Sequence, residues 1–150
     1  MPQSFASLYV HLIFSTKNRE SWIEDEWSPR LYEYVAGTLR KQNDQLLIGG
    51  GMADHIHLLI SMSRESSIVD IVRNVKSNSS RWIHENFPGS TGFAWQAGYA
   101  AFSVSRSALP EVRQYIENQK QHHTTRTFEE EFLAFLERHE LEYDPRYVFD

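Results

Sequence analysis

Apolar residues fall along the 150-residue chain in two rhythms, short near-continuous runs and longer stretches at helical spacing. Ser7 to Ser15 (SLYVHLIFS) is aromatic, β-branched and leucine-rich and is closed by the polar Thr16-Lys17-Asn18-Arg19, which predicts a buried strand and a loop. Ser28-Pro29 supplies a cap and a first-turn proline, and Leu31, Tyr34, Val35 and Leu39 follow at helical spacing as far as Asn43. Gln45 to Ile48 and Asp54 to Met62 (DHIHLLISM) read as two strands of a hairpin turning on Gly49-Gly50-Gly51. Ser67-x-x-Asp70 is a capping box opening a helix whose face carries Ile68, Ile71, Val72, Val75, Ser79 and Trp82 and which ends near Asn86. Phe93 to Ser105 predicts a fourth strand, bent at Gly98. Pro110 then starts a third helix bearing Val112, Tyr115, Ile116 and Gln119. A second capping box, Thr127-x-x-Glu130, opens a helix through Phe128, Phe132, Phe135 and Leu136, before a tail from Tyr143 to Asp150.

The order strand, helix, strand, strand, helix, strand predicts an α+β fold, the ferredoxin-like split βαβ sandwich. It is an antiparallel sheet with helices on one face, extended by C-terminal helices of which one carries Tyr115. In that topology the first and third strands are central neighbours. Residues 1–150 form one domain without internal repeat or linker. With 41% hydrophobic and 13% aromatic residues, disordered and fibrous classes are excluded. The absence of cysteine removes disulfides, thiolate metal sites and cysteine nucleophiles, so a metal must be held by histidine, carboxylate or amide. No apolar run is long enough for a membrane span, and the N-terminus lacks a secretory layout, which makes a cytosolic location the expectation. The net charge of −5 speaks against a nucleic-acid partner only until its distribution is considered. The segment from Phe128 to Asp150 holds eight acids and two bases, leaving the rest at +1.

His55 and His57 are two apart on a predicted strand, so both imidazoles leave the same face and can converge on one cation. Taken alone, a His-x-His pair is more often two half-buried histidines than a metal site. Tyr115 and Gln119 stand four apart, presenting a phenol and an amide on one helical face. Alone, that pair reads as a packed tyrosine beside a solvated glutamine. Gly49-Gly50-Gly51 lacks the Lys-Ser/Thr of a phosphate-binding loop. Of the other histidines, His11 shares the first strand and could neighbour the pair, His122 and His123 read as helix-end residues, and His84 and His139 as solvated.

These blocks, in order, resemble the single-tyrosine HUH transposases of small insertion sequences and their relatives associated with repetitive extragenic palindromes. The likeness runs from Val10-His11-Leu12-Ile13-Phe14-Ser15-Thr16-Lys17 through Asp54-His55-Ile56-His57-Leu58-Leu59 and Ser79-Ser80-Arg81-Trp82. It continues in Trp95-Gln96-Ala97-Gly98-Tyr99, Phe102-Ser103-Val104-Ser105 and Tyr115-Ile116-x-Asn118-Gln119-x-x-His122-His123, ending at Thr127-Phe128-Glu129-Glu130-Glu131-Phe132. The resemblance implies that His55, His57 and Gln119 bind a divalent metal, Mg²⁺ or Mn²⁺, and that Tyr115 is the nucleophile. Its substrate would be single-stranded DNA with hairpin ends. Attack would leave a 5′-phosphotyrosine and a free 3′-hydroxyl, an exchange of esters that needs no ATP. Such a set contains no carboxylate and would be cationic. Candidate DNA contacts are Lys17, Arg19, Arg73, Lys76, Arg81, Arg106, Lys120 and Arg126, with Trp82 and Trp95 as stacking partners. Two cuts and two rejoinings with one nucleophile per chain imply a homodimer, with Tyr115 and Gln119 of one chain completing the His pair of the other. The rival readings are a hairpin-binding protein without cleavage and a metal-dependent hydrolase, the latter leaving Tyr115 unused.

Overall fold

The computed structural model describes residues 2–150. Its strands are β1 (Tyr9–Ser15), β2 (Gln45–Met52), β3 (His55–Ser61) and β4 (Ala100–Val104). Its helices are α1 (Ser28–Arg40), α2 (Ile68–Asn86), α3 (Leu109–Glu117), α4 (Gln119–His122) and α5 (Phe128–Arg138), with short 3-10 turns at Lys17–Arg19 and Arg106–Ala108. The strands pair antiparallel in the order β2-β3-β1-β4, the split βαβ ferredoxin-like arrangement with β1 and β3 at its centre.

Period-two alternation divides the two central strands between two cores. Val10, Leu12, Phe14, Ile56, Leu58 and Ile60 face α1 and α2, where Leu31, Val35, Ile71 and Val75 meet them. Ile13 points the other way and, with Ala100 and Phe102, packs under Phe128, Phe132, Phe135 and Leu136 of α5. A sheet covered on both faces explains why β1 and β3 read as nearly continuous apolar runs. Each large α5 side chain withdrawn from water contributes about 1.5–3 kcal/mol at most. Both helices are capped at the expected N-termini, α5 by a full capping box and α2 by its N-cap serine alone. Ser67 Oγ accepts from the Asp70 amide, and Thr127 and Glu130 cap each other reciprocally.

Three sequence expectations are corrected. The glycines are not a turn but the second half of β2, and the chain reverses at Ala53 and Asp54. They are needed because neighbours press onto the strand. A Cβ on Gly49 would lie 2.5 Å from Cδ1 of Tyr32, and one on Gly50 would lie 2.8 Å from the Ile116 carbonyl oxygen. The fourth strand is short, because the segment before it spends its carbonyls on a side chain. The Lys76 ammonium donates to Gln96 O at 2.7 Å, Ala97 O at 3.2 Å and Gly98 O at 2.7 Å, leaving only an isolated bridge from Thr16 to Trp95. Finally, the third helix is broken at Asn118 (φ −97°, ψ 23°), so Tyr115 and Gln119 belong to α3 and α4.

Candidate active site

The site lies between β3 and the α3–α5 layer. β3 is held by ladders on both sides, and His55 and His57 project from it fully buried, beneath α5. Each imidazole is oriented by its Nδ1. That of His55 lies 2.7 Å from Asp54 Oδ1, and that of His57 lies 2.8 Å from Nε2 of His11, two residues before Ile13 on the same face of β1. α3 is fixed by its contact with Gly50 and by Arg113, whose Nη1 donates at 3.0 Å to the carbonyl of Leu47. Leu47 sits where the β2–β3 register slips by one residue, so its carbonyl is free for this bond.

At the centre is a residue that enters the sequence pattern only as one of the eight acids between Phe128 and Asp150. Glu131 is fully buried. Its Oε1 accepts from His57 Nε2 at 2.9 Å and lies 3.5 Å from His55 Nε2 and 3.2 Å from His123 Nε2, the last without hydrogen-bond alignment. Its Oε2 accepts the phenol proton of Tyr115 and faces Gln119 Nε2 at 3.4 Å. The expected carboxylate-free, cationic set is therefore corrected: an anion stands in its middle. A signal existed, since Glu131 follows Phe128 by three and precedes Phe135 by four, which puts it on the apolar stripe of α5. His122 and His123 are likewise more than helix-end residues. The His122 ring stacks on Tyr115 with centroids 4.5 Å apart, and His123 stands against Glu131.

Electrostatics follow from this packing. Burial would raise the Glu131 pKa, but His123, His57 and Tyr115 around it outweigh burial and hold it well below the usual carboxylate range. Burial lowers His57 to about 4 and His11 to about 3, so both are neutral near pH 7. Glu131 can only accept, so without a cation Nε2 of His57 carries the proton and its Nδ1 accepts from His11, whereas a cation at Nε2 would move that proton to Nδ1, which then donates to His11. Burial, then Glu131, pushes the Tyr115 phenol up to about 12, against the pull of Arg126.

The donor set fits a divalent cation. With Nδ1–H of His55 committed to Asp54, its Nε2 faces Gln119 Oε1 at 3.1 Å and Glu131 Oε1 at 3.5 Å, neither of which can donate. Three lone pairs converging on one point repel unless a proton or a cation lies between them. Among the described residues, ligand atoms of His55, His57 and Glu131 fall within 4.8 Å of one another. The carboxylate and amide oxygens suit Mg²⁺ or Mn²⁺, and the two imidazoles a later transition metal.

Of the expected DNA contacts, Arg126 reaches the site, with Nη2 3.3 Å from Tyr115 Oη. Lys17 and Arg19 occupy the turn after β1, where Arg19 donates to Phe149 O at 3.0 Å. Lys120 pairs with Asp25 at 2.9 Å and Arg106 donates to Tyr9 Oη at 2.9 Å. Arg73 and Arg81 lie on α2, across the sheet from the histidines, bound to Asp70 and Asn78. Lys76 is spent inside the fold on the 96–98 carbonyls, and Trp95 is a core residue whose Nε1 donates to Ser79 Oγ at 2.9 Å. Trp82 stacks on Tyr34. His55, His57, Tyr115 and Gln119 come together within one chain.

The model of the family described as "Transposase IS200 like" matches residues 4–119. The ISDra2 transposase TnpA of Deinococcus radiodurans is 26% identical over 117 residues, spanning 75% of this chain and 84% of that protein. A crystal structure of a candidate transposase from Deinococcus radiodurans R1 superposes with a TM-score of 0.64 at 28% identity, covering 79% of this chain and 98% of that one. The fold is shared too with a REP-associated tyrosine transposase solved bound to a REP hairpin, at TM-score 0.61 and 12% identity over 82% of this chain and 73% of that one. The family match ends at Gln119, so Glu131, His123 and Arg126 lie beyond it. With three quarters of its length matched, including the His pair, the tyrosine and the glutamine, the chain belongs to the IS200-like, single-tyrosine transposase family.

Proposed function

We propose that the protein cleaves and rejoins single-stranded DNA beside a hairpin, with Tyr115 as nucleophile and a divalent cation held by His55, His57, Gln119 and Glu131. The observation that carries this reading is the shared carboxylate. Glu131 meets the histidine pair through Oε1 and the Tyr115 phenol through Oε2, so nucleophile and candidate ligands converge on one group. Mn²⁺ or Mg²⁺ bound there would neutralise the scissile phosphate and draw charge from the 3′-oxygen leaving group. His11 and Asp54 hold the two imidazoles in place. His122 and Phe135 fix the tyrosine ring by stacking and edge contact, at 4.5 and 5.6 Å between centroids. The phosphodiester takes the place beside Tyr115 Oη that Glu131 Oε2 now holds, and the phenol oxygen attacks phosphorus to give a 5′-phosphotyrosine and a free 3′-hydroxyl. Excision needs two such cleavages, so two copies act on one segment, each with a site from its own chain.

The test is incubation with an end-labelled, hairpin-bearing single strand and Mn²⁺, followed by denaturing electrophoresis. A covalent protein–DNA adduct that EDTA abolishes is expected. Hairpin binding with no adduct under any divalent cation would instead mark a binding protein.

A further inference from the structure

The loop from α4 to α5 brings a cation to the reacting oxygen. His123 donates from Nδ1 to the carbonyl of Arg126 at 2.9 Å, and the next residue, Thr127, is locked in the capping box of α5. The backbone of Arg126 is thus pinned on both sides, and its Nη2 reaches Tyr115 Oη at 3.3 Å. Three acids follow it within five positions, yet none of the ion pairs among the described residues involves Arg126. Its side-chain partner is a neutral phenol. That phenol already gives its proton to Glu131 Oε2, so the guanidinium N–H meets an oxygen lone pair.

We propose that Arg126 is a catalytic residue of strand transfer, holding the charge that builds on Tyr115 Oη as its bond to phosphorus forms and breaks. The inference rests on the reading of Tyr115 as nucleophile. In rejoining, a 3′-hydroxyl oxygen attacks the phosphorus of the phosphotyrosine. The P–O bond to Tyr115 breaks, its electron pair stays on the phenolic oxygen, and the proton lost by the hydroxyl is replaced on the phenol. In the in-line displacement at a phosphodiester, negative charge develops on the phenolic oxygen as its bond to phosphorus breaks. A guanidinium already beside that oxygen needs no reorganisation to meet it, and it stays charged throughout. Its fork also leaves further N–H groups for a non-bridging phosphate oxygen. Cleavage is the same step reversed, so the transition state that Arg126 stabilises is crossed in both directions and both rates rise.

The test compares wild type, Arg126→Ala and Arg126→Lys at saturating DNA, with rates of adduct formation and of adduct resolution by an added 3′-hydroxyl strand. Affinity is measured separately in the Tyr115→Phe background, where no adduct forms. Arg126→Ala should slow both rates together by about 10²-fold, with affinity nearly unchanged and partial recovery on adding ethylguanidinium. Arg126→Lys should fall between. Wild-type rates with weaker, less salt-dependent binding would make Arg126 a mere backbone contact and overturn the assignment. A slow variant with a lowered melting temperature and no recovery by ethylguanidinium would overturn it in favour of a loop-holding role. If wild type forms no adduct, the reading of the site falls and this one with it. If wild type forms the adduct and Arg126→Ala matches it at saturation, only this one falls.

Discussion

Tyr115 donates its phenol proton to Oε2 of Glu131, sixteen residues further along the chain, and so ties α3 to α5 across the mouth of the histidine pair. With its pKa pushed to about 12, the phenol is protonated at neutral pH, so in the proposed role it would need an activated phosphate. Tyr115→Phe keeps the ring that stacks on His122 and removes the attacking oxygen. Adduct formation should disappear while hairpin affinity changes less than about threefold, since less than about 0.7 kcal/mol of binding energy is at stake. An undiminished adduct in this variant would contradict the role of Tyr115.

Glu131→Gln keeps shape and removes the charge. The amide cannot replace an anion among two candidate ligand imidazoles and His123, so Mn²⁺ affinity should fall by about tenfold or more. Calorimetric titration of the DNA-free protein measures this apart from catalysis. Equal Mn²⁺ affinity in the two proteins would remove Glu131 from the ligand set.

Much of this arrangement is legible in the sequence, and the misreadings share a cause. β1, β3, α2 and α5 are set by local patterns strong enough to stand alone: unbroken apolar runs, capping boxes and helical stripes. The His-x-His spacing on a strand forces a common face, and the structure keeps it. Gly49-Gly50-Gly51 misleads because glycine signals a turn locally, whereas here it answers Tyr32 and Ile116, which arrive from distant parts of the chain. Glu131 is hidden by two acids before it that are exposed or half-buried in the first helical turn. Lys76 and Trp95 read as surface residues because their partners, the 96–98 carbonyls and Ser79, are set by tertiary packing.

Stability should be acid-sensitive. His11, facing His57, Glu131 and His139, is held near 3, and His57 near 4, against 6.5 for a free histidine, with burial the leading cause in both. As pH falls the unfolded chain takes up these protons first, so stability is full above 6.5 and is lost toward 4 and below. Glu131, depressed from 4.5, adds to the loss below that value. His123 runs the other way: its raised pKa contributes stability below 6.5 that is lost as pH rises through the folded value. Melting temperature should therefore peak near neutrality and fall steeply on the acid side. His11→Gln should flatten the acid limb, and an unchanged limb would show that His11 does not titrate on unfolding.

Gly50→Ala tests how α3 is seated. The added methyl would meet the carbonyl of Ile116, the residue after Tyr115, so α3 must shift. A loss of about 1–3 kcal/mol in unfolding free energy is expected, together with a drop in adduct formation at temperatures where the variant is fully folded. Wild-type stability and rate would mean that α3 is not held by this contact.

Mixing Tyr115→Phe with His57→Ala protein separates one-chain from two-chain sites. Because the four residues meet within one chain, every site in the mixture lacks a component and no adduct should form. Recovery toward a quarter or more of wild-type activity would show helix exchange between copies.

α5 covers the second face of the sheet with Phe128, Phe132, Phe135 and Leu136 and carries Glu131 on the same stripe. Seating the helix therefore finishes the hydrophobic interior and the ligand pocket in a single event, and the two share one equilibrium. A cation bound between β3 and α5, as proposed, would act as a clasp on the domain and raise its melting temperature according to concentration and affinity. Conversely, a cavity cut under Phe132, well away from any DNA, should register as weakened metal binding.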